Sequence, residues 1–243
     1  MSKLIELIER LGQQSAQPIG FGALTGRVES PPTMALIGST AASESASLIA
    51  SGLPDGVDAI VFSDSEARAV LDAAGTGVPD DTVWGANGSS LGNDDLDALI
   101  DAGCDYLVIE SSAPAGVVGH PDLGTIVTTD EPVDRLTGAA LRSLKVDGSL
   151  NTSGTGTGGI NFGTLVNVVK VGASIGGVML VQAREAVSDA DLMALRDAGV
   201  DGLVVPLDDE ALVKQLVKSI RGLPPRRKSE ARGLSPSAPR NED

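Results

Sequence analysis

The chain has 243 residues and a formal net charge of −15, an anionic body that repels nucleic-acid backbones and anionic membrane surfaces. Aromatic residues make up 2%, too few for stacking platforms that hold bases or sugars. The single cysteine, Cys104, excludes an internal disulfide and any cysteine-based metal cluster.

No apolar run reaches membrane-spanning length, and the N-terminus has no signal-peptide h-region, so a cytoplasmic protein is expected. Ser2 to Leu11 reads as an amphipathic helix, with Leu4, Ile5, Leu7, Ile8 and Leu11 on one side and Gly12 at its end. It is suited either to capping the bottom of a barrel or to packing against a partner, a second copy of the chain included. Residues 18–24 (PIGFGAL) are Gly-rich and extended in character, as in a plug strand or hairpin. Residues 1–32 therefore form an N-terminal helix and plug segment.

Eight strand candidates follow, centred near Leu36, Ile60, Val83, Leu107, Ile126, Lys145, Leu180 and Val204. The first four are 24, 23 and 24 residues apart, which is a strand-plus-helix period. Helices are expected at 43–51, 65–74, 94–102, 132–141 and 161–173. The link from Glu110 to Gly124 carries two prolines and little helical periodicity, so the fourth helix is expected to be short or missing. Strands alternating with helices imply parallel pairing and right-handed crossovers.

The chain also repeats itself. Residues 96–110 (LDALIDAGCDYLVIE) and 192–206 (LMALRDAGVDGLVVP) match at an offset of 96, and 48–62 is a third relative. A half-repeat joining the fourth and eighth units predicts a (β/α)8 barrel, an α/β fold spanning residues 33–221. A doubly wound parallel sheet is the competing architecture; no strand is followed by the Gly-x-Gly-x-x-Gly turn that would favour it. From Gly222 onward the composition is Pro-, Ser- and Arg-rich, with five basic and three acidic residues. Residues 222–243 are expected to be a disordered tail.

Ala198-Gly199-Val200-Asp201-Gly202, ahead of the last strand, resembles the closing units of aldolase-type and phosphate-binding TIM barrels. The resemblance implies a working face at the C-terminal ends of the strands. It also shows a departure. Where phosphate-binding members carry glycines after strand seven and a Gly-Ser or Gly-Thr turn after strand eight, this chain has Gln182-Ala183-Arg184-Glu185 and Pro206-Leu207-Asp208-Asp209. The aspartates would repel a phosphate, so that site is expected to be missing or reshaped.

Polar residues cluster at the expected strand ends: Ser39 and Thr40, Ser63 and Asp64, Asn87, Glu110 with Ser111 and Ser112, Thr128 to Asp130, Gln182 with Glu185, and Asp208. Lys145 and Asp147 alternate with Leu144 and Val146, which predicts that the charged pair faces the barrel axis from strand six. Class I aldolases of the resembled superfamily carry a Schiff-base lysine on that strand. Lys145 as nucleophile or electrostatic group, with Glu110 or Asp147 as acid/base, is one expectation; an ion pair of Lys145 with Asp147 or Glu110 is the other. The run Thr155, Gly156, Thr157, Gly158 and Gly159 precedes a helix and, with Asn151, would offer backbone N–H groups to an anion. A plain flexible loop is the alternative.

Three functions remain open at this level. One is an enzyme of lyase or isomerase type acting on a small organic acid or phosphorylated metabolite. The second is a non-catalytic barrel for ligand binding or assembly. The third is an enzyme using Glu110, Asp130 and Asp147 around Mg²⁺; no other cofactor is evident. His120, the lone histidine, lies in the fourth link, where it would serve as an acid or base only if that link closed over the mouth.

Overall fold

The computed structural model describes residues 2–14, 32–45, 52–64, 66–75, 78–79, 81–154 and 159–224. The plug segment 18–24 and most of the tail lie outside these residues. Eight parallel strands close into a barrel in chain order: β1 Ala35–Thr40, β2 Ala59–Phe62, β3 Val83–Asn87, β4 Tyr106–Ile109, β5 Gly124–Thr129, β6 Gly148–Asn151, β7 Val178–Gln182 and β8 Gly202–Pro206. Closure is made by β1 pairing with β8, Ala35 opposite Gly202 and Ser39 opposite Pro206. The open doubly wound sheet is thereby excluded.

Two apolar layers result from the period-two alternation of the strands. Ile37, Val61, Tyr106, Ile126, Leu150, Leu180 and Val204 point inward; Leu36, Ile60, Trp84, Leu107, Val181 and Leu203 point outward to the helices. The helix α1, Lys3–Gln14, belongs to the inner layer. Its Leu4, Ile5, Ile8 and Leu11 are all buried, so α1 plugs the barrel floor and its apolar face is not free to assemble with a partner. Tyr106 fills the axis above it and donates its hydroxyl to the Ile60 carbonyl at 2.7 Å. Gly85 leaves the space for that ring, since a Cβ there would stand 2.5 Å from Tyr106 Cε2.

The repeat in the sequence has a structural meaning. Asp58, Asp105, Asp147 and Asp201 each precede an even-numbered strand and donate their backbone N–H to the preceding odd strand. Three of the carboxylates accept the N–H of that same odd-strand residue: Asp58 from Leu36 at 2.8 Å, Asp147 from Thr125 at 2.7 Å and Asp201 from Met179 at 3.0 Å. Each pair is 22 residues apart. Asp105 is turned instead to the start of α1, where it accepts from Ser2 Oγ and from the N–H groups of Lys3 and Leu4.

Two expectations about the helices resolve differently. The fourth link carries only a 3₁₀ turn, Ala115–Val117, as the prolines imply. Strand six, however, begins three residues after Lys145. The helix Arg135–Ser143 ends at Leu144, and Lys145 takes a left-handed turn conformation with φ 56°. The expectation that Lys145 and Asp147 face the axis is therefore corrected. Both lie at the N-terminal end of the barrel; Lys145 is exposed and Asp147 is spent on the Thr125 N–H. The apolar Leu144 and Val146 that suggested a strand instead wall a groove outside it.

Candidate functional site at the barrel mouth

The C-terminal ends of the strands enclose a cavity of about 150 Å³. Its floor is Val61, Val108, Leu150 and Val204, one or two residues below the strand ends. Above it stand hydroxyls from Ser39, Ser63, Thr128 and Thr152 and amides from Asn87 and Gln182. Glu110, one residue past β4, is the one carboxylate lining the cavity among the described residues. Alternation sets this ring: Val108 and Glu110 share a face of β4, and Leu150 and Thr152 share a face of β6.

Several of these groups are held in place. Thr128 Oγ1 donates to the Ile109 carbonyl at 2.6 Å, tying the end of β5 to the strand that carries Glu110. Asn87 Oδ1 accepts the N–H of Ser89 at 2.9 Å, which leaves its Nδ2 turned toward the Ser63 carbonyl at 3.4 Å. Gln182 Oε1 accepts from Arg184 Nη2 at 3.0 Å. The exposed guanidinium of Arg184 thus stands at the rim, on the β7 side.

The helix that follows β8 begins on a carboxylate, which repels a phosphate at its N-terminus. Asp209 is the N-cap of the helix Glu210–Gly222 and accepts the Leu212 N–H at 2.9 Å. The carboxylate occupies a donor group that an anion would otherwise take. Leu207 turns outward to fill the space over Gly38, where a Cβ would come within 2.5 Å of its Cδ2.

The structure brings together only part of the expected constellation. Glu110 is at the mouth. Lys145 and Asp147 are at the other end of the barrel, so neither the Lys145–Glu110 pair nor a Glu110–Asp130–Asp147 set converges. Among the described residues no group of three or more His, Cys, Asp and Glu is placed to hold a metal ion. Asn151 faces outward from β6 and is fully buried, its Oδ1 accepting from Ser153 Oγ at 2.6 Å. Its Nδ2, with Ser149 Oγ and Thr125 Oγ1, has no hydrogen-bond partner. Thr155, Gly156, Thr157 and Gly158 lie outside the described residues. Gly159 has φ 82° and sits beside Asp191, 3.3 Å from where its Cβ would be. His120 lines neither cavity; its Nδ1 accepts the Asp122 N–H at 3.3 Å. Cys104 is 5% exposed, and burial pushes its thiol up to about 12, which suits a filler and not a nucleophile.

A second cavity, of about 600 Å³, opens on the outside of β5. It meets the mouth at Glu110, Thr128 and Thr152, which line both.

No protein-family model matches the chain, and no curated protein matches it. Solved structures do. The fold is that of the aldolase-type TIM barrels. KGPDC from Streptococcus mutans superposes with a TM-score of 0.56 at 13% identity, covering 77% of this chain and 94% of that one. The YdjI aldolase from Escherichia coli K12 gives 0.53 at 9% identity, covering 90% and 93%. A 3-hexulose-6-phosphate synthase gives 0.52 at 17% identity, covering 77% and 98%. At these identities the likeness is one of fold.

Proposed function

We propose that this barrel is an enzyme of lyase or isomerase type acting on a small hydroxy or keto compound at the mouth, with Glu110 as the group that moves the proton. The observation that carries the reading is the position of Glu110. Among the described residues it is the one carboxylate lining that cavity, above an apolar floor and beside neutral hydroxyl and amide groups. A carboxylate there can take a proton from the carbon next to a carbonyl, becoming the carboxylic acid as the carbonyl becomes an enolate. The hydroxyls of Ser63 or Thr152 would donate to the enolate oxygen, and the same proton would return from Glu110. The YdjI aldolase among the structural neighbours lends the reading support at the level of fold.

The carboxylate of Asp209, already on the Leu212 N–H at 2.9 Å, disfavours a phosphate ester at the usual position after β8. The test is exchange of α-protons with solvent. Hydroxyacetone, dihydroxyacetone and pyruvate in deuterated water should lose their α-C–H signals when the protein is added, and should keep them with Glu110→Gln.

A non-catalytic ligand-binding barrel is the second reading. It is favoured by one observation: the described lining of the mouth has no lysine and no histidine. It predicts a ligand-induced rise in melting temperature with no exchange in any of these compounds.

A further inference from the structure

Among the described residues, β5 is the place where the helix layer fails to cover the sheet. The outward side chains of the other seven strands are buried; on β5, Val127 and Thr129 stay half-exposed. Two features cause this. The β4–β5 link supplies a three-residue 3₁₀ turn where a helix would lie. The helix Arg135–Ser143 also leans away, toward the helix Phe162–Ile175. Gly138 allows that approach, since a Cβ on it would stand 2.5 Å from the Ser174 carbonyl oxygen. The groove left behind is walled by Val127, Val133, Leu141, Leu144 and Val146. Its volume, about 600 Å³, is that of a small-molecule site.

We infer that this groove receives an aliphatic tail of the substrate whose hydroxy or keto head lies at the mouth. The substrate class is then a hydroxy or keto compound with a chain of several carbons, and not a compact sugar phosphate. The inference rests on the proposed reading of the mouth as the substrate site. Continuity carries it: Glu110, Thr128 and Thr152 line the mouth on one side and the groove on the other. A molecule held by those three groups has an apolar channel directly beside it. The chemistry of the wall agrees. Aliphatic side chains dominate the groove away from the mouth, and Leu144 is 53% exposed there. Hydroxyls and carboxylates, Asp130 included, gather at the mouth end, where they suit an uncharged head that donates and accepts hydrogen bonds.

The experiment is a chain-length series on the full-length protein. Binding of 1,2-propanediol, 1,2-pentanediol and 1,2-octanediol is measured by ligand-observed NMR and calorimetry. Affinity should rise about fourfold per added methylene until the groove is filled. Leu144→Arg changes an exposed position and is expected to fold normally; Val133→Trp fills the groove by a second route. Both should abolish the gain from pentanediol to octanediol and leave propanediol binding unchanged. Affinity independent of chain length overturns the inference, as does a chain-length gain that survives both variants, or the absence of any diol binding. The enzyme reading fails separately. Chain-length dependence without α-proton exchange keeps the groove and removes the catalysis; exchange without chain-length dependence does the reverse.

Discussion

Asp105 holds the barrel plug by its first turn. Its Oδ2 accepts from Ser2 Oγ at 2.6 Å across 103 residues of chain, and the same carboxylate takes the N–H groups of Lys3 and Leu4 at 2.8 and 2.9 Å. The three equivalent aspartates of the barrel close strand pairs; this one has been diverted to a helix N-terminus, where its charge also complements the helix dipole. Asp105→Ala leaves a buried cluster of donors without an acceptor and should cost about 1.5–3 kcal/mol in denaturant unfolding. Amide exchange should rise first in residues 2–14, with the strands still protected. Uniform loss of protection would contradict this account of the plug.

Lys145 is strained by its position and not committed to the mouth. A non-glycine residue at φ 56° carries a left-handed cost that glycine does not, partly offset by the extra freedom glycine gives the unfolded chain. Lys145→Gly is expected to stabilise by about 0.5–1 kcal/mol and to leave α-proton exchange unchanged. Loss of exchange would return Lys145 to the catalytic group.

Asp58 sets a pH dependence. Burial raises its carboxyl above the ordinary aspartate value, against the opposing Leu36 N–H and the guanidinium groups of Arg221 and Arg10. A raised folded-state value means that stability from this group is full below the ordinary range and is lost as pH rises through the raised value. Asp58→Asn keeps an acceptor for Leu36 and removes the charge. Its melting temperature should match wild type near pH 3 and equal or exceed it at pH 7. A variant that falls further below wild type as pH rises would contradict the assignment.

Arg196 joins the helix Asp189–Asp197 to the end of the described chain. It is 1% exposed, pairs with Asp197 at 2.8 Å and donates to the Pro224 carbonyl. Half-exposed Asp197 contributes little, and Arg196→Met also removes the donor to Pro224. A cost of about 1–3 kcal/mol follows, seen as a fall in melting temperature of about 2–4 °C per kcal/mol for a chain of this length. An unchanged melting temperature would show that the carbonyl finds water instead.

The barrel was legible because most of its strands carry apolar residues on both faces, and because Ala-Gly-x-Asp recurs ahead of β4 and β8. Strand six was misplaced for the converse reason. Gly148-Ser149-Leu150-Asn151 puts one large apolar residue inward and two polar ones outward, while Leu144 and Val146, just before it, imitate a strand. Period-two alternation therefore selected Lys145 and Asp147. Glu110 was legible from its place after Tyr106–Ile109. The groove was not, because it depends on how Gly138 lets one helix lean on another, a contact across 36 residues between Gly138 and Ser174. The anion loop expected at 155–159 falls largely outside the described residues.

Glu110 is proposed to transfer protons at the mouth. This role is tested most directly by the rate of α-proton loss from hydroxyacetone in deuterated water, compared between wild type, Glu110→Gln and Glu110→Asp at matched thermal stability. Exchange is expected in wild type, with a fall of about 10²-fold or more in Glu110→Gln and partial recovery in Glu110→Asp. Exchange that persists unchanged in Glu110→Gln, or wild type that never exceeds the buffer rate across the keto compounds tried, would contradict it.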